Sequence, residues 1–388
     1  MGKEKAKNGL LLIEMFLLIA ISVSPVLSRA VKLLFSGLLF CIGFYKTTKE
    51  HKRIVVDKTF ILAMFFFLIP IVFDLFYAVK TNSVSLSNFL YPFNFLCAYY
   101  FAKSCKKTEF YNAYEKVTYA LAILSLVGMS VFFIAPSLIY SFPTYQYYDK
   151  THRTIFFFNY LFDGGWMAVR NSGIAWEPGV FQILLNVAFQ ISIQKDKGKK
   201  LFVRTVIYSV AIILTRSTIG YVIFAINIFS LLKNNKKYIP VVIIAGLLCS
   251  TMIVTEVIYQ LENKLAGSSA FNARWFPSIN AIMHTWYRPL GLGGSYYDAV
   301  YETLNLGSFD CYTQILMRYG YPLLIYVLIK LWKIFKKDNP YVAIILLISF
   351  FSEPIWGSVL IVAMYYITEE DKHRCIHERV DNQPTTKK

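Results

Sequence analysis

Long apolar runs interrupted by short polar clusters dominate this chain, and every second cluster is basic. The apolar runs fall at 9–28, 31–45, 59–79, 84–102, 117–140, 178–194, 201–215, 217–232, 238–257, 311–332, 341–352 and 354–367. A helix needs about 20 such residues to cross a bilayer, so the pattern predicts about twelve transmembrane helices in a single domain, 1–388. The first run contains Glu14 and leads straight into the second, so it reads as a retained span and not a cleaved signal peptide. The basic connections are Lys46 to Lys58, Lys103 to Lys116, Lys195 to Lys200, Lys233 to Lys237 and Lys330 to Lys337, followed by a polar tail, 371–388. Positively charged loops resist translocation, which places these segments and both termini in the cytoplasm. Two connections on the other side are long, 141–177 and 258–310, and loops of that length in a compact protein usually carry function. Short helices are expected within them.

Composition narrows the class. With 56% hydrophobic residues and a mean hydropathy of +0.48, the chain is polytopic and not a soluble globular protein. A net charge of +17 would suggest nucleic acid in a soluble protein. Here the charge sits in short loops, where it sets orientation and meets acidic membrane lipids, and no nucleic-acid partner is expected. The six cysteines build neither a disulfide framework nor a metal spacing.

The two cations are distributed differently. Lysine lies mostly inward, but Arg29, Arg153, Arg170, Arg216, Arg274, Arg288 and Arg318 fall in the outward segments and only Arg53, Arg204, Arg374 and Arg379 inward. A planar guanidinium donates paired hydrogen bonds to phosphate or carboxylate, whereas an ammonium acts as a point charge. An arginine-rich outer face therefore points to recognition of an anion.

Two hairpins are too short to cross fully. A helix over 201–215 covers about 23 Å against a hydrocarbon layer of about 30 Å, so its turn, Thr215-Arg216-Ser217, should lie below the outer surface. The pair 341–352 and 354–367 places Glu353-Pro354 at similar depth. Irregular backbone at that level is tolerated only beside protein or water, which predicts a pocket lined by Arg216 and Glu353. Asp74 and Glu14 also lie within spans and must face protein or water.

The segment Arg170-Asn171-Ser172-Gly173-Ile174-Ala175-Trp176-Glu177-Pro178-Gly179 ends the first loop and opens a helix. Proline is favoured at the first helical position, and the helix dipole favours a negative charge at Glu177. Arg170 and Glu177 could serve a ligand or simply bind each other. Tyr160, Trp166 and Trp176 could stack on sugar rings, although tyrosine and tryptophan also gather at membrane interfaces without a ligand. Gly291-Leu292-Gly293-Gly294 is a weak phosphate-loop signal, since no strand precedes it.

The Arg-x-x-Gly-x-x-x-Glu-Pro signature after a long outer loop resembles the bacterial O-antigen polymerase and ligase family. The Thr215-Arg216-Ser217 turn, Arg274 followed by Pro289-Leu290-Gly291-Leu292-Gly293, Asp310-x-Tyr312 with Gly320, and Glu353-Pro354-x-Trp356 resemble further pieces of its pattern in the same order, over about residues 150 to 367. Ligases of the family tend to have a His-Asn pair where this chain has Phe309-Asp310, which favours the polymerase. The resemblance implies an all-α polytopic fold, similar to the GT-C architecture. It implies a metal-independent glycosyltransferase acting on an oligosaccharide repeat linked to undecaprenyl diphosphate, with a chain-length regulator and a flippase as partner proteins. Such enzymes serve lipopolysaccharide or capsule synthesis. Arg170, Arg216 and Arg274, then Arg288 and Arg318, would hold the diphosphate. Glu177, Asp310, His284 and Glu353 are the candidates to accept the proton of the acceptor hydroxyl, and Trp176 to line the site. The outward segments hold no Asp-x-Asp pair and no His/Cys cluster, so neither metal nor cofactor is expected. A ligase joining glycan to lipid A core, and a flippase or anion transporter, remain alternatives; transporters usually show repeat symmetry, which this chain lacks.

Overall fold

The computed structural model describes residues 2–81, 85, 87–147, 150–155, 158–161, 170–240, 258, 269–300 and 310–367. Most of the 238–257 run, Trp166 and the tail 371–388 lie outside them. The chain is mostly helical. Its helices are α1 (Gly2–Val23), α2 (Arg29–His51), α3 (Lys58–Thr81), α4 (Ser87–Lys103), α5 (Lys107–Ile134), the single turn α6 (Pro136–Ile139), α7 (Pro178–Lys195), α8 (Gly198–Leu214), α9 (Thr218–Asn234), α10 (Ser269–Thr285), α11 (Gly294–Val300), α12 (Cys311–Lys337), α13 (Pro340–Ser349) and α14 (Val359–Ile367). Among the described residues four helices are long and apolar enough to cross a membrane, at Arg29–His51, Lys58–Phe76, Lys107–Ile134 and Cys311–Lys337. They mark a helical membrane protein.

α7 is the axis of the bundle. It packs against α5, α8, α9 and α13, and every residue from Pro178 to Ile193 is buried. A helix enclosed on all sides must satisfy its own polar groups internally. Accordingly, Gln182, Asn186 and Gln190 sit one turn apart along one stripe. Asn186 donates to Gln182 Oε1 (2.9 Å), Asn227 of α9 donates to Asn186 Oδ1 (2.8 Å), and Gln190 donates to Ser230 of α9 (3.1 Å). Amide pairs of this kind tie helices together where apolar surface alone gives no preference over lipid.

The first long connection departs from expectation. Short helices were expected there, but beyond α6 it folds into a four-stranded antiparallel meander, β1 (Thr144–Tyr147), β2 (Lys150–Ile155), β3 (Phe158–Leu161) and β4 (Arg170–Asn171), in that order across the sheet. β-branched and aromatic residues at Thr151, Thr154, Ile155, Phe158 and Tyr160 favour strand, and a meander satisfies its backbone locally. Phe158 and Tyr160 form a small separate core with Met129, Phe132 and Ile139 at the end of α5. Tyr160 donates to the Gly128 carbonyl at 2.8 Å. Burial pushes its phenol up to about 12, so it remains a donor at any physiological pH.

α12 is broken at Gly320, whose φ of 75° and ψ of −171° suit glycine alone. Pro322 lacks the N–H that would bond the Arg318 carbonyl. Gly293 N takes that carbonyl instead (3.2 Å), Leu292 N takes Met317 O (2.6 Å), and Tyr321 N turns to Pro289 O (2.9 Å). The Pro289–Gly293 strip thus replaces the hydrogen bonds that the kink removes. Distance shows how far α12 must bend. Asn339 N bonds Ile334 O (3.1 Å) and Cys311 N bonds Phe350 O (2.8 Å). α13 and its flanks span only about 20 Å between those two points, whereas a straight helix from Cys311 to Ile334 would measure about 34 Å. The kink brings the start of α12 back to the end of α13.

Candidate functional site

One end of the bundle, here the loop end, gathers the helix termini that carry the singled-out residues. Arg170 opens the peptide into α7. Behind it, Asn171 is fully buried and donates to Ser125 Oγ of α5 (3.0 Å) and to the Ala211 carbonyl of α8 (3.2 Å). Gly173 turns the chain with φ +50°, where a Cβ would collide with the Phe181 ring. Trp176 N bonds Val23 O at the end of α1 (3.1 Å), and Glu177 is the extended N-cap residue before Pro178. Each position of the signature therefore has a structural reason: anchor, turn, docking point and helix start.

Arg170 reaches across to the α8–α9 turn, where its Nε donates to the Thr215 carbonyl (3.0 Å). The next residue of that turn is Arg216, in the left-handed region at φ 51°. Such a conformation is uncommon for a residue with a Cβ and tends to occur at ligand-binding sites. Ser217 then caps α9 through Gly220 N (3.2 Å). Gly220 packs against the Gln182 side chain, which sets the mouth of α9 beside that of α7.

Glu353 enters from the α13–α14 turn. Its carboxylate lies against Gly179 in the first turn of α7, so close that a Cβ on Gly179 would collide with Oε1. Only 4% of Glu353 is exposed. The positive end of α7 offsets part of the cost of burying that carboxylate. Trp356 anchors the turn, fully buried, stacked on Tyr91 (4.7 Å between ring centres) and donating to Gln314 Oε1 (2.8 Å). Cys311 Sγ donates to the Glu353 carbonyl (2.9 Å). Asp310 caps α12, accepting from Thr313 N (2.8 Å), and it also accepts from Ser278 of α10 (2.9 Å).

The structure thus brings together Arg170, Arg216, Glu177 and Glu353 at the mouths of α7 and α9, with Trp176 beside them and Asp310 one helix away. The segments leading into this cluster, 162–169 and 301–309, lie outside the described residues.

Arg288 and Arg318 form a second group. Arg318 pairs with Asp298 of α11 (2.9 Å) and lies over the Tyr297 ring (4.4 Å), while Arg288 lies between Tyr287 and Tyr296. Asp74 holds this group in place. Buried about two turns before the end of α3, it accepts from Ser295 N (2.9 Å), Tyr296 N (3.3 Å) and the Asn88 amide. Gly291 and Gly293 are explained by close backbone approach, because a Cβ on Gly291 would lie 2.7 Å from Gly320 N and one on Gly293 would lie 2.6 Å from Asp74 Oδ1. Their role here is packing against α12 and α3, not the phosphate loop that the sequence weakly suggests. His284 is half-exposed on α10 among exposed Ile282, Met283 and Trp286, one turn before Arg288. Arg274 is carried on the same helix, and its side chain lies outside the described set. Arg153 bonds the Tyr140 and Phe142 carbonyls within the first loop and serves that loop.

Two features escaped the sequence reading. The Glu353–Gly179 contact has a faint signal in the glycine after Pro178, since a glycine inside a helix needs a packing reason. The Asp74 latch has none beyond a carboxylate within an apolar run.

Searched against known proteins, the chain matches no protein-family model and no curated protein.

Proposed function

We propose that this protein is a polysaccharide polymerase of the bacterial cytoplasmic membrane, with both termini cytoplasmic and the loop end facing outward. It would transfer a growing glycan from undecaprenyl diphosphate to a hydroxyl of the next undecaprenyl-diphosphate-linked repeat. The observation that carries this reading is the Arg170 bond to Thr215, which gathers two guanidinium-bearing residues beside two carboxylates at a helix mouth. In the reaction the acceptor oxygen attacks the anomeric carbon, the bond from that carbon to the diphosphate oxygen breaks, and the hydroxyl proton passes to a carboxylate. Glu177 is the first choice for that base, with Glu353 and Asp310 behind it. Negative charge develops on the departing diphosphate, and arginines already held in place stabilise it without reorganising. Arg170 and Arg216 fill that role, supported by Arg274, Arg288 and Arg318.

The test is deletion of the gene and complementation with Arg170→Ala and Glu177→Gln, resolving surface glycan by length. The expected result is single repeats still attached to their anchor, with a rate loss on the order of 100 to 1,000 for purified Arg170→Ala on a synthetic lipid-linked repeat. Loss of every repeat would instead indicate a ligase, and repeats trapped in the cytoplasm a flippase; either outcome overturns the proposal.

A further inference from the structure

A cationic cavity opens at the loop end, lined by none of the cluster around Arg170. It measures ≈ 150 Å³ and lies between the ends of α1, α2, α4 and α14. Three of its lining residues, Arg29, Lys32 and Ser36, are spaced i, i+3, i+7 and so form one stripe of α2. Asn94 of α4 and Ser358 before α14 close the other side.

The polar inventory is one-sided. Among the described residues no carboxylate pairs with Arg29 or Lys32, although like charges a turn apart repel each other. Ser36 is only 4% exposed and lines this cavity. Two cations, hydroxyl side chains and an amide lining a space of about five water volumes suit a phosphate or diphosphate group and exclude an oligosaccharide. Below the cavity, Leu33, Leu34 and Leu38 are exposed along α2, itself one of the four helices able to cross a membrane. That apolar flank fits a lipid tail continuing from the head group.

We propose that this cavity binds the phosphate head of a polyprenyl lipid. Its position gives the site a role that rests on the proposed polymerase activity. Such a reaction requires two lipid diphosphates at once, donor and acceptor. The α13–α14 turn has Glu353 at the Arg170 cluster and Ser358 in this cavity, and five residues span at most about 18 Å. Two head groups bound at the two ends of one turn would place donor and acceptor within the reach of a single sugar repeat.

Binding of radiolabelled undecaprenyl diphosphate to the purified full-length protein in detergent tests this without relying on turnover. Two molecules per chain are expected for the wild type and one for Arg29→Gln/Lys32→Gln, with at least a tenfold weakening for either single change. Arg29 is exposed, so its replacement should leave the melting temperature unchanged. Ser36→Leu, which fills the cavity while keeping both cations, should abolish the same binding event. Equal stoichiometry in all variants overturns the site. Inorganic pyrophosphate competing as well as the lipid overturns the assignment to a lipid head. Loss of one bound lipid in a protein that shows no polymerisation would leave the site standing and remove the polymerase. Unchanged polymerisation by a variant that still binds two would do the reverse.

Discussion

The two ends of this bundle handle charge in opposite ways. At the end opposite the long loops, carboxylates meet cations directly: Glu14 with Lys46, Asp57 with Lys103, Glu109 with Lys7, Asp338 with Lys107, Asp196 with Lys200, and Glu115 with Arg204. At the loop end several charged groups are held by neutral partners. Asp310 and Asp74 accept from backbone amides, hydroxyls and a side-chain amide. Arg170 donates to a carbonyl, and Arg288 rests on two tyrosine rings. Arg318 also pairs with Asp298. Charges already neutralised by each other have little left for a ligand, whereas guanidinium groups positioned by neutral acceptors keep their attraction for an anion. On the proposed function, one end is built to stay together and the other to receive.

The largest effect that could break this contrast is expected at the ion-paired end. Arg204 joins Glu115 (2.6 Å) and Asp196 inside the bundle, with Tyr119 against its guanidinium. Arg204→Ala leaves Glu115, which is fully buried, with the Ser192 and Tyr208 hydroxyls (3.1 and 3.4 Å) and the more distant cation of Lys195 at 3.8 Å. Removing one member of a buried pair typically costs about 3–5 kcal/mol, so the variant should melt far below the wild type or fail to accumulate. Replacing Glu115 and Arg204 together by leucine should recover much of the loss. If Arg204→Ala lost polymerisation while melting normally, the division into a structural and a receptive end would be wrong.

The next effect concerns backbone, since the loop end depends on turns more than on ion pairs. Gly320→Ala forces a Cβ into a conformation reserved for glycine and onto the Pro289 carbonyl. A cost of about 1–3 kcal/mol is expected, together with displacement of the strip that positions Arg288. Melting should fall moderately and lipid-linked polymerisation more steeply. A loss confined to melting would separate the second arginine group from function.

How much of this was legible in advance follows from the range of each signal. The four long apolar helices, the alternating basic connections and the start of α7 at Pro178 are encoded locally, by hydropathy and by a proline that suits a first turn. The approach of Thr215-Arg216 to Arg170 was anticipated only through the order of motifs, because no local pattern specifies a contact 45 residues away. Glu14 had no evident role in the sequence; the structure pairs it with Lys46, which lies a whole helix later (2.6 Å). The meander was missed because its strands are short and the second long connection, by contrast, does carry helices. The bend of α12 depends on Pro322 and Gly320 acting with a strip 30 residues upstream, an exchange of hydrogen bonds that periodicity cannot report.

The smallest expected effect sharpens the comparison within the ion-paired end itself. Lys7 and Glu109 form a pair at 3.1 Å, but the lysine side chain is 67% exposed and Glu109 also accepts from Lys106 N (3.2 Å) at the start of α5. Water screens such a pair, and ordering a long lysine side chain opposes it, so exposed pairs contribute about 0.2–1 kcal/mol at most. Lys7→Ala should therefore shift melting slightly, the shift should vanish at high salt, and glycan length should not change. Set beside Arg204→Ala, it asks whether pairing or burial makes this end rigid. Equal destabilisation by the two variants would mean that pairing alone does so; a large gap between them assigns the rigidity to the desolvated charges around Glu115, where a lost partner cannot be replaced by solvent.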